Sequence, residues 1–464
     1  MNEKVAQALG YIDAKYITAA AKRKKRKHFW LGAAAAVLAL VFLFQTPNIP
    51  LIITAKAVSL SSQSRKMERP DVRSDKYDLW YEESQTRTGI VKSAMAPVID
   101  FSANCSAKVL SGTDANNRVW SPINAYLALA ITAELTDGEN RQRMMELLGV
   151  TELDELRTKA SALWEQVYQD NSKEISVLAN SLWLDNDVTY RQEALDILAY
   201  HYYTSVYQGD LGSNRTNRDI ANWLRNQTGG LLDKRTGSVN ISPEAVLTLA
   251  STIYFQSQWD DKFQSSNNSE KTFHAADGDV LCTFMNKKLA KMNYYWAEDY
   301  GAVRLGLENS SSMWFILPDE DKTVDDVLSS NDYMAMVTNS DAFPEENHKR
   351  MKVNLSVPKF DVSSSIDLEP ALKELGLTDI FAPVGNHFST AVDSQMPVFL
   401  DSINQDTRVT IDEDGVKAAS YIVIEGAGST EPPKEIIDFV LDRPFVFAIT
   451  SNSIPLFVGT VNHP

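Results

Sequence analysis

The sequence predicts an α+β body. Three observations carry that reading. Helical patterns such as Leu153 to Tyr168, with Leu156, Leu163, Trp164 and Val167 on one side, are mixed along the chain with β-type runs such as Ile175 to Leu184 and Ala245 to Phe255. Apolar residues make up 44% of the chain, and 9 Trp, 17 Tyr and 18 Phe supply a large core. No internal repeat or low-complexity tract interrupts the pattern. The length of 464 residues alone suggests two or three domains.

The amino-terminal part stands apart. Residues 1–28 form a basic head ending in Lys22-Arg23-Lys24-Lys25-Arg26-Lys27, and Phe29 to Phe44 then runs sixteen residues without a polar side chain. A basic block before an apolar run holds the amino terminus in the cytoplasm and sends the downstream chain outward. Residues 29–49 are therefore expected to be a membrane anchor. A cleaved signal is the alternative, with a site after Ala55-Lys56-Ala57. The expected location is the cell membrane, single-pass with the body outside, or secretion if the leader is removed. Residues 50–89 are assigned to a linker, of which the polar stretch Ser59 to Gln85 reads as a tether.

Within the body, helices are expected at Ile99 to Leu110, Ala125 to Leu135, Asn140 to Leu148, Leu153 to Tyr168, Arg191 to Tyr203 and Asn217 to Gln227. Strands are expected at Ile175 to Leu184 and Ala245 to Phe255, then at Thr272 to His274 with a turn at Asp277-Gly278-Asp279 before Val280 to Met285. Tyr294 to Trp296, Ala302 to Gly306, Met313 to Leu317 and Val353 to Phe360 continue the series. Leu368 to Leu375 is a helix closed by Gly376, a residue suited to a left-handed cap.

The carboxy-terminal pattern is distinctive. Val398-Phe399-Leu400 is cut short by Asp401-Ser402, so the next strand is placed at Arg408 to Ile411. An acidic turn at Asp412-Glu413-Asp414-Gly415 follows. Beyond it, Val416, Ala418, Ser420, Ile422 and Ile424 alternate with Lys417, Ala419, Tyr421, Val423 and Glu425, the period of a half-buried strand. This run ends in Gly426-Ala427-Gly428-Ser429-Thr430-Glu431-Pro432-Pro433. Phe439 to Thr450 and Leu456 to Pro464 read as a terminal hairpin.

In these residues the chain resembles the serpin family. The resemblance rests on Glu413-Asp414-Gly415-Val416 with Ala418-Ala419, on Asp442-Arg443-Pro444-Phe445, and on Pro455-Leu456-Phe457-Val458-Gly459. Upstream it continues in Trp120-Ser121-Pro122, Asn180-Ser181-Leu182-Trp183, Thr228-Gly229-Gly230, Tyr254 to Trp259, Phe273-His274, Val357-Pro358-Lys359-Phe360 and Leu375-Gly376-Leu377 with Phe381. These motifs keep the family's order over residues 90–464, which makes that stretch one serpin domain.

The resemblance implies a large, mostly antiparallel central sheet with surrounding helices and an exposed reactive-centre loop. It implies a suicide-substrate inhibitor of serine proteases, with Glu413, Asp414, Gly415, Val416, Ala418, Ala419 and Ser420 as the loop hinge. The reactive bond is expected among Ala427, Gly428, Ser429 and Thr430 by the family's spacing from Gly415, whereas counting back from Arg443-Pro444-Phe445 points nearer Pro433. Small residues there fit shallow pockets, so elastase-like or subtilisin-like proteases are the expected partners. Ser121, Asn124, Ser251 and Gln405 take the place of the polar latch under the central strands, and Trp259 stands where the loop begins to insert. The alternative is a non-inhibitory serpin-fold binding module whose loop is only a substrate.

Charge and missing motifs narrow the remaining classes. Nine Lys/Arg against Glu3 and Asp13 give residues 1–58 a local +7, which leaves −23 for the rest of a chain whose total is −16. So acidic a body repels nucleic acid and similar polyanions. Cys105 and Cys282 alone supply neither a disulfide framework nor a cysteine zinc site, and two free buried thiols are expected. His28, His201, His274, His348, His387 and His463 show no metal spacing, and no nucleophile elbow or phosphate loop is present. No enzyme activity, cofactor or metal is expected, and the protein is expected to be a monomer.

Overall fold

The structure is a computed structural model. It describes residues 52–55, 71–112, 116–171, 174–228, 230, 239–330, 332–394, 397–400, 403–416 and 433–464. The amino-terminal head and the apolar run of the leader lie outside the described residues.

The chain opens with β1 (Ile52–Ala55), α1 (Tyr77–Leu110), β2 (Arg118–Trp120), α2 (Pro122–Leu135), α3 (Gly138–Leu147) and α4 (Leu153–Val167). It continues with β3 (Gln169–Asp170), β4 (Glu174–Asp185), β5 (Thr189–Tyr190), α5 (Gln192–His201), β6 (Thr204–Gly209), α6 (Asn214–Gln227) and β7 (Leu247–Gln258). Next come β8 (Ser269–Ala275), β9 (Gly278–Trp296), β10 (Tyr300–Leu307), β11 (Ser311–Pro318), α7 (Val324–Ser329), α8 (Asp332–Thr338), β12 (His348–Pro358), β13 (Phe360–Asp367) and α9 (Glu369–Glu374). The last elements are β14 (Val392–Asp393), β15 (Asn404–Ile411), β16 (Gly415–Val416), β17 (Ile436–Val440), β18 (Phe445–Ser451) and β19 (Ile454–Val461).

Two large sheets organise these elements. The first runs β1-β6-β4-β7-β16-β15-β13, with β3 paired to β4. The second runs β17-β12-β9-β10-β11-β18-β19-β2, with β8 paired to β9. Pairing is antiparallel except for β4 with β6 and β12 with β17. Helix α2 is buried nearly all round. It is stopped at its start by Ser121, whose hydroxyl caps the Asn124 N–H, with Pro122 in the first turn where no amide partner is lost.

Several expectations change in detail, each for a local reason. Helix α1 starts at Tyr77, so residues 77–85 are helical rather than tether. Between Tyr77 and Ser93 no side chain is buried, which hides the helix from a search for core periodicity; the buried stripe of Ala94, Val98, Phe101, Cys105 and Val109 begins only later. Part of the expected linker, Ile52–Ala55, pairs antiparallel with β6.

The expected strands Val280 to Met285 and Tyr294 to Trp296 are two ends of the 19-residue β9. Val353 to Phe360 divides at Lys359, with β12 in one sheet and β13 in the other. Strand β13 escapes sequence reading because one of its inward positions is Ser364, whose hydroxyl is satisfied by the backbone of Val119. Strand β15 starts at Asn404 rather than Arg408 because Gln405 and Thr407 occupy its buried positions.

The terminal hairpin is β18 and β19 alone. Asn452 and Ser453 both have positive φ, 48° and 68°, as a tight two-residue hairpin turn requires. Phe439 belongs instead to β17, which lies parallel to β12, and Pro444 separates it from β18. Gly376 closes α9 at φ +93° as expected. Cys105 is buried and Cys282 only half-buried, and both are free.

Candidate functional site

The acidic turn before the loop is closed by its own side chain. Asp412 Oδ1 accepts the Asp414 N–H at 2.9 Å and the Gly415 N–H at 3.2 Å, and the Asp412 N–H reaches the Gly415 carbonyl at 3.0 Å. Gly415 has φ +153°, and a Cβ there would lie 2.3 Å from the Ser257 carbonyl oxygen and 2.7 Å from Gln258 Cα. Both obstacles are backbone, so only glycine fits.

The turn is wired to the end of β7. Trp259 is buried; its Nε1 donates to the Asp412 carbonyl at 2.9 Å and its backbone N–H to the Asp414 carbonyl at 3.1 Å. Glu413 pairs with Lys359 at 2.6 Å and accepts from Asn268, and Asp414 pairs with Lys262 at 2.8 Å. Partial burial works against ionising Glu413, but the hydrogen bonds from Lys359 and Asn268 outweigh it and hold the carboxyl below its ordinary range.

These contacts deliver Gly415 and Val416 into the central sheet. Gly415 pairs with Gln258 and Val416 with Ser257 on one side, and Val416 with Ile411 on the other. Val416 is buried. Among the described residues, no ladder joins β7 to β15 directly; β16 stands between them at one end. Toward the other end lies a cavity of about 450 Å³ lined by Thr248 to Thr252 of β7, Asn404 to Asp406 of β15, and residues of α2 and α6.

Both flanking strands are tied to the start of α2. On β7, the Ser251 hydroxyl lies 2.5 Å from Asn124 Oδ1 and 2.6 Å from Asn180 Oδ1. On β15, Gln405 Oε1 accepts the Ser121 N–H at 2.7 Å while its Nε2 donates to the Ser121 carbonyl at 3.1 Å. The two strands are thus held by one helix start rather than by each other.

This arrangement has counterparts among known proteins. The family model described as "Serpin (serine protease inhibitor)" matches residues 97–464. The chain belongs to the serpin family. It is 27% identical over 398 residues to Serpin-ZX of Arabidopsis thaliana, covering 81% of this chain and 99% of that one. It is also 27% identical over 379 residues to plasminogen activator inhibitor 1 of Sus scrofa, covering 79% and 91%. Among solved structures, the thermophilic serpin tengpin in its native state aligns with a TM-score of 0.70 at 27% identity, covering 81% of this chain and 94% of that one. Tengpin in its latent state aligns with a TM-score of 0.66 at 26% identity, covering 79% and 96%.

In this serpin, Glu413, Asp414, Gly415, Val416 and Trp259 lie together at the end of β7. Ser121, Asn124, Ser251 and Gln405 form two pairs at the start of α2. Ala418, Ala419 and Ser420 of the hinge, and Ala427, Gly428, Ser429 and Thr430 of the reactive bond, lie outside the described residues. Sequence reasoning missed Asn180 and the cations Lys262 and Lys359 as members of the site. Asn180 is a buried amide in the middle of an apolar strand. That mismatch was the available signal.

Among the described residues, no cluster of His, Cys, Asp and Glu could hold a metal ion. Among the same residues, no helix is long and apolar enough to cross a membrane.

Proposed function

We propose that this serpin is an extracytoplasmic suicide-substrate inhibitor of serine proteases. The observation that carries the reading is the position of Gly415 and Val416, seated between β7 and β15, with no direct ladder among the described residues joining those two strands beyond them. A protease attacking the reactive bond forms an acyl-enzyme, whose release needs water activated at an intact site. Cleavage frees the loop from its carboxy-terminal attachment. The segment after Val416 then extends β16 between β7 and β15, carrying the acylated protease away from its starting position before water completes the reaction.

The inward parity supports this. Val416, Ala418, Ser420, Ile422 and Ile424 bring no charge to the buried face, while Lys417 and Glu425 take the opposite parity. Each added ladder hydrogen bond contributes about 0.5 to 1.5 kcal/mol net, so a dozen supply on the order of 10 kcal/mol. The small residues from Ala427 to Thr430 favour elastase-like or subtilisin-like targets, and residues 29–49 serve as a retained membrane anchor. The test is incubation with both protease types. A complex that survives denaturant and contains the loop's amino-terminal fragment is expected; cleavage with full turnover by every protease overturns the reading.

A further inference from the structure

The face of β9 and β12 next to the loop's carboxy-terminal end is charged against the trend of the chain. Lys288, Lys291 and Arg350 are exposed and Lys352 half-buried. On β12 the side chains of Val353, Leu355 and Val357 are buried, which puts Arg350 and Lys352 on the opposite side. Asn354 lies opposite Lys288 and Arg350 opposite Asn293, and a bulge between these pairs sets Ala290 and Lys291 across from Lys352. Among the described residues, Lys288, Arg350 and Lys352 enter no ion pair.

Like charges facing each other across a ladder are destabilising. Acids outnumber bases 61 to 45 in this chain, yet none opposes these cations across the β9–β12 ladder. On the β17 side Glu435 pairs with Lys349 at 2.6 Å, and the exposed Asp438, which accepts from Asn354 at 2.7 Å, is one acid against the three cations Lys288, Arg350 and Lys352.

The position of this face decides what meets it. The Lys352 N–H donates to the Glu435 carbonyl at 2.9 Å, fixing where the loop rejoins the body. Ser429 and Thr430 are six and five residues before Glu435, and six residues of extended chain span at most about 20 Å. A protease domain engaging that bond is larger than this reach, so its surface overhangs β17 and β12.

We propose that Lys288, Arg350 and Lys352 form a docking surface for an acidic rim beside the cleft of the target protease, a reading that rests on the inhibitory function above. The positive face steers an acidic protease onto a body that otherwise repels it, and acts on the association rate rather than on the trapping step.

The experiment compares the full chain with Lys288→Glu/Arg350→Glu/Lys352→Glu and with a control reversal on and just before α1, Arg73→Glu/Lys76→Glu/Lys92→Glu. Thermal melts verify folding. Association rates are measured at low and high salt against elastase-type and subtilisin-type proteases ranging from acidic to basic. The expected result is a loss of about tenfold or more with acidic proteases at low salt, shrinking at high salt, with the control unchanged and the stoichiometry of inhibition unaffected. Trapping at rates equal to those of the parent for every protease overturns the docking surface and leaves the inhibitory reading standing. Equal rates together with loss of binding to phosphatidylglycerol vesicles reassign the face to lipid and also overturn it. Absence of trapping by the parent chain overturns the inhibitory reading, and the docking surface with it.

Discussion

Trp259 Nε1 donates to the Asp412 carbonyl at 2.9 Å, so the strand that flanks the gap and the turn that feeds it are fastened to each other. The same turn receives the backbone N–H groups of Trp259 and Phe263. Trp259→Phe keeps an aromatic ring and removes the side-chain hydrogen bond. The expected cost is about 1 kcal/mol, read as a lower melting temperature with faster spontaneous loss of inhibition.

Gly415 admits no Cβ because the Ser257 carbonyl and Gln258 Cα already occupy that place. Gly415→Ala is expected to lose about 2 kcal/mol or more by equilibrium unfolding, or to expel β16 from the sheet. The expelled form is recognisable by faster proteolysis at the hinge.

Val416→Arg or Ala418→Arg places a charge on the parity that enters the sheet. Such a variant is expected to be cleaved and to release active protease, with a stoichiometry of inhibition raised several-fold or more. Lys417→Arg, on the other parity, is expected to trap as the parent does.

The tie between Gln405 and Ser121 is a two-sided bond to buried backbone. Gln405→Ala strands the Ser121 N–H at a cost of about 1 to 3 kcal/mol, while the Ser121 carbonyl keeps the Ala125 N–H as a partner. The variant is expected to melt lower and to lose inhibitory activity sooner on warming. Ser251→Ala removes the hydroxyl shared by Asn124 and Asn180 and is expected to act in the same direction.

Glu413 gives the hinge a pH dependence of defined sign. Its carboxyl is held below the ordinary range, so its contribution is complete above the unfolded value of about 4.3 and is lost as pH falls through the lower folded value. Glu413→Gln is expected to melt lower than the parent at pH 7, and that difference is expected to shrink as the buffer is taken below pH ~4. A constant difference across the same range would contradict the assignment.

Much of this was legible in the sequence where physical pattern and motif agree. The long strands β4 and β7, the core helices α2 and α4, and the cap at Gly376 announce themselves by apolar period or by a residue with one backbone use. The parts that escaped are those where polar groups are buried and satisfied at a distance. Ser364 and Gln405 hide β13 and the first half of β15 in this way. Asn180 reads as one letter of a motif and joins the site only through the Ser251 hydroxyl, which also meets Asn124. Lys262 and Lys359 are ordinary surface cations by sequence and become hinge residues only because the fold sets them beside Asp414 and Glu413.

The most direct test of the central claim is the stability of the molecule cut once in its loop by a protease it does not trap. The account predicts a melting temperature raised by roughly 10 °C or more, with a new strand beginning at Gly415 and running between β7 and β15 in the crystal structure of the cleaved protein. A cleaved form that melts at or below the temperature of the intact one, with β7 and β15 still lacking a full strand between them, would contradict it.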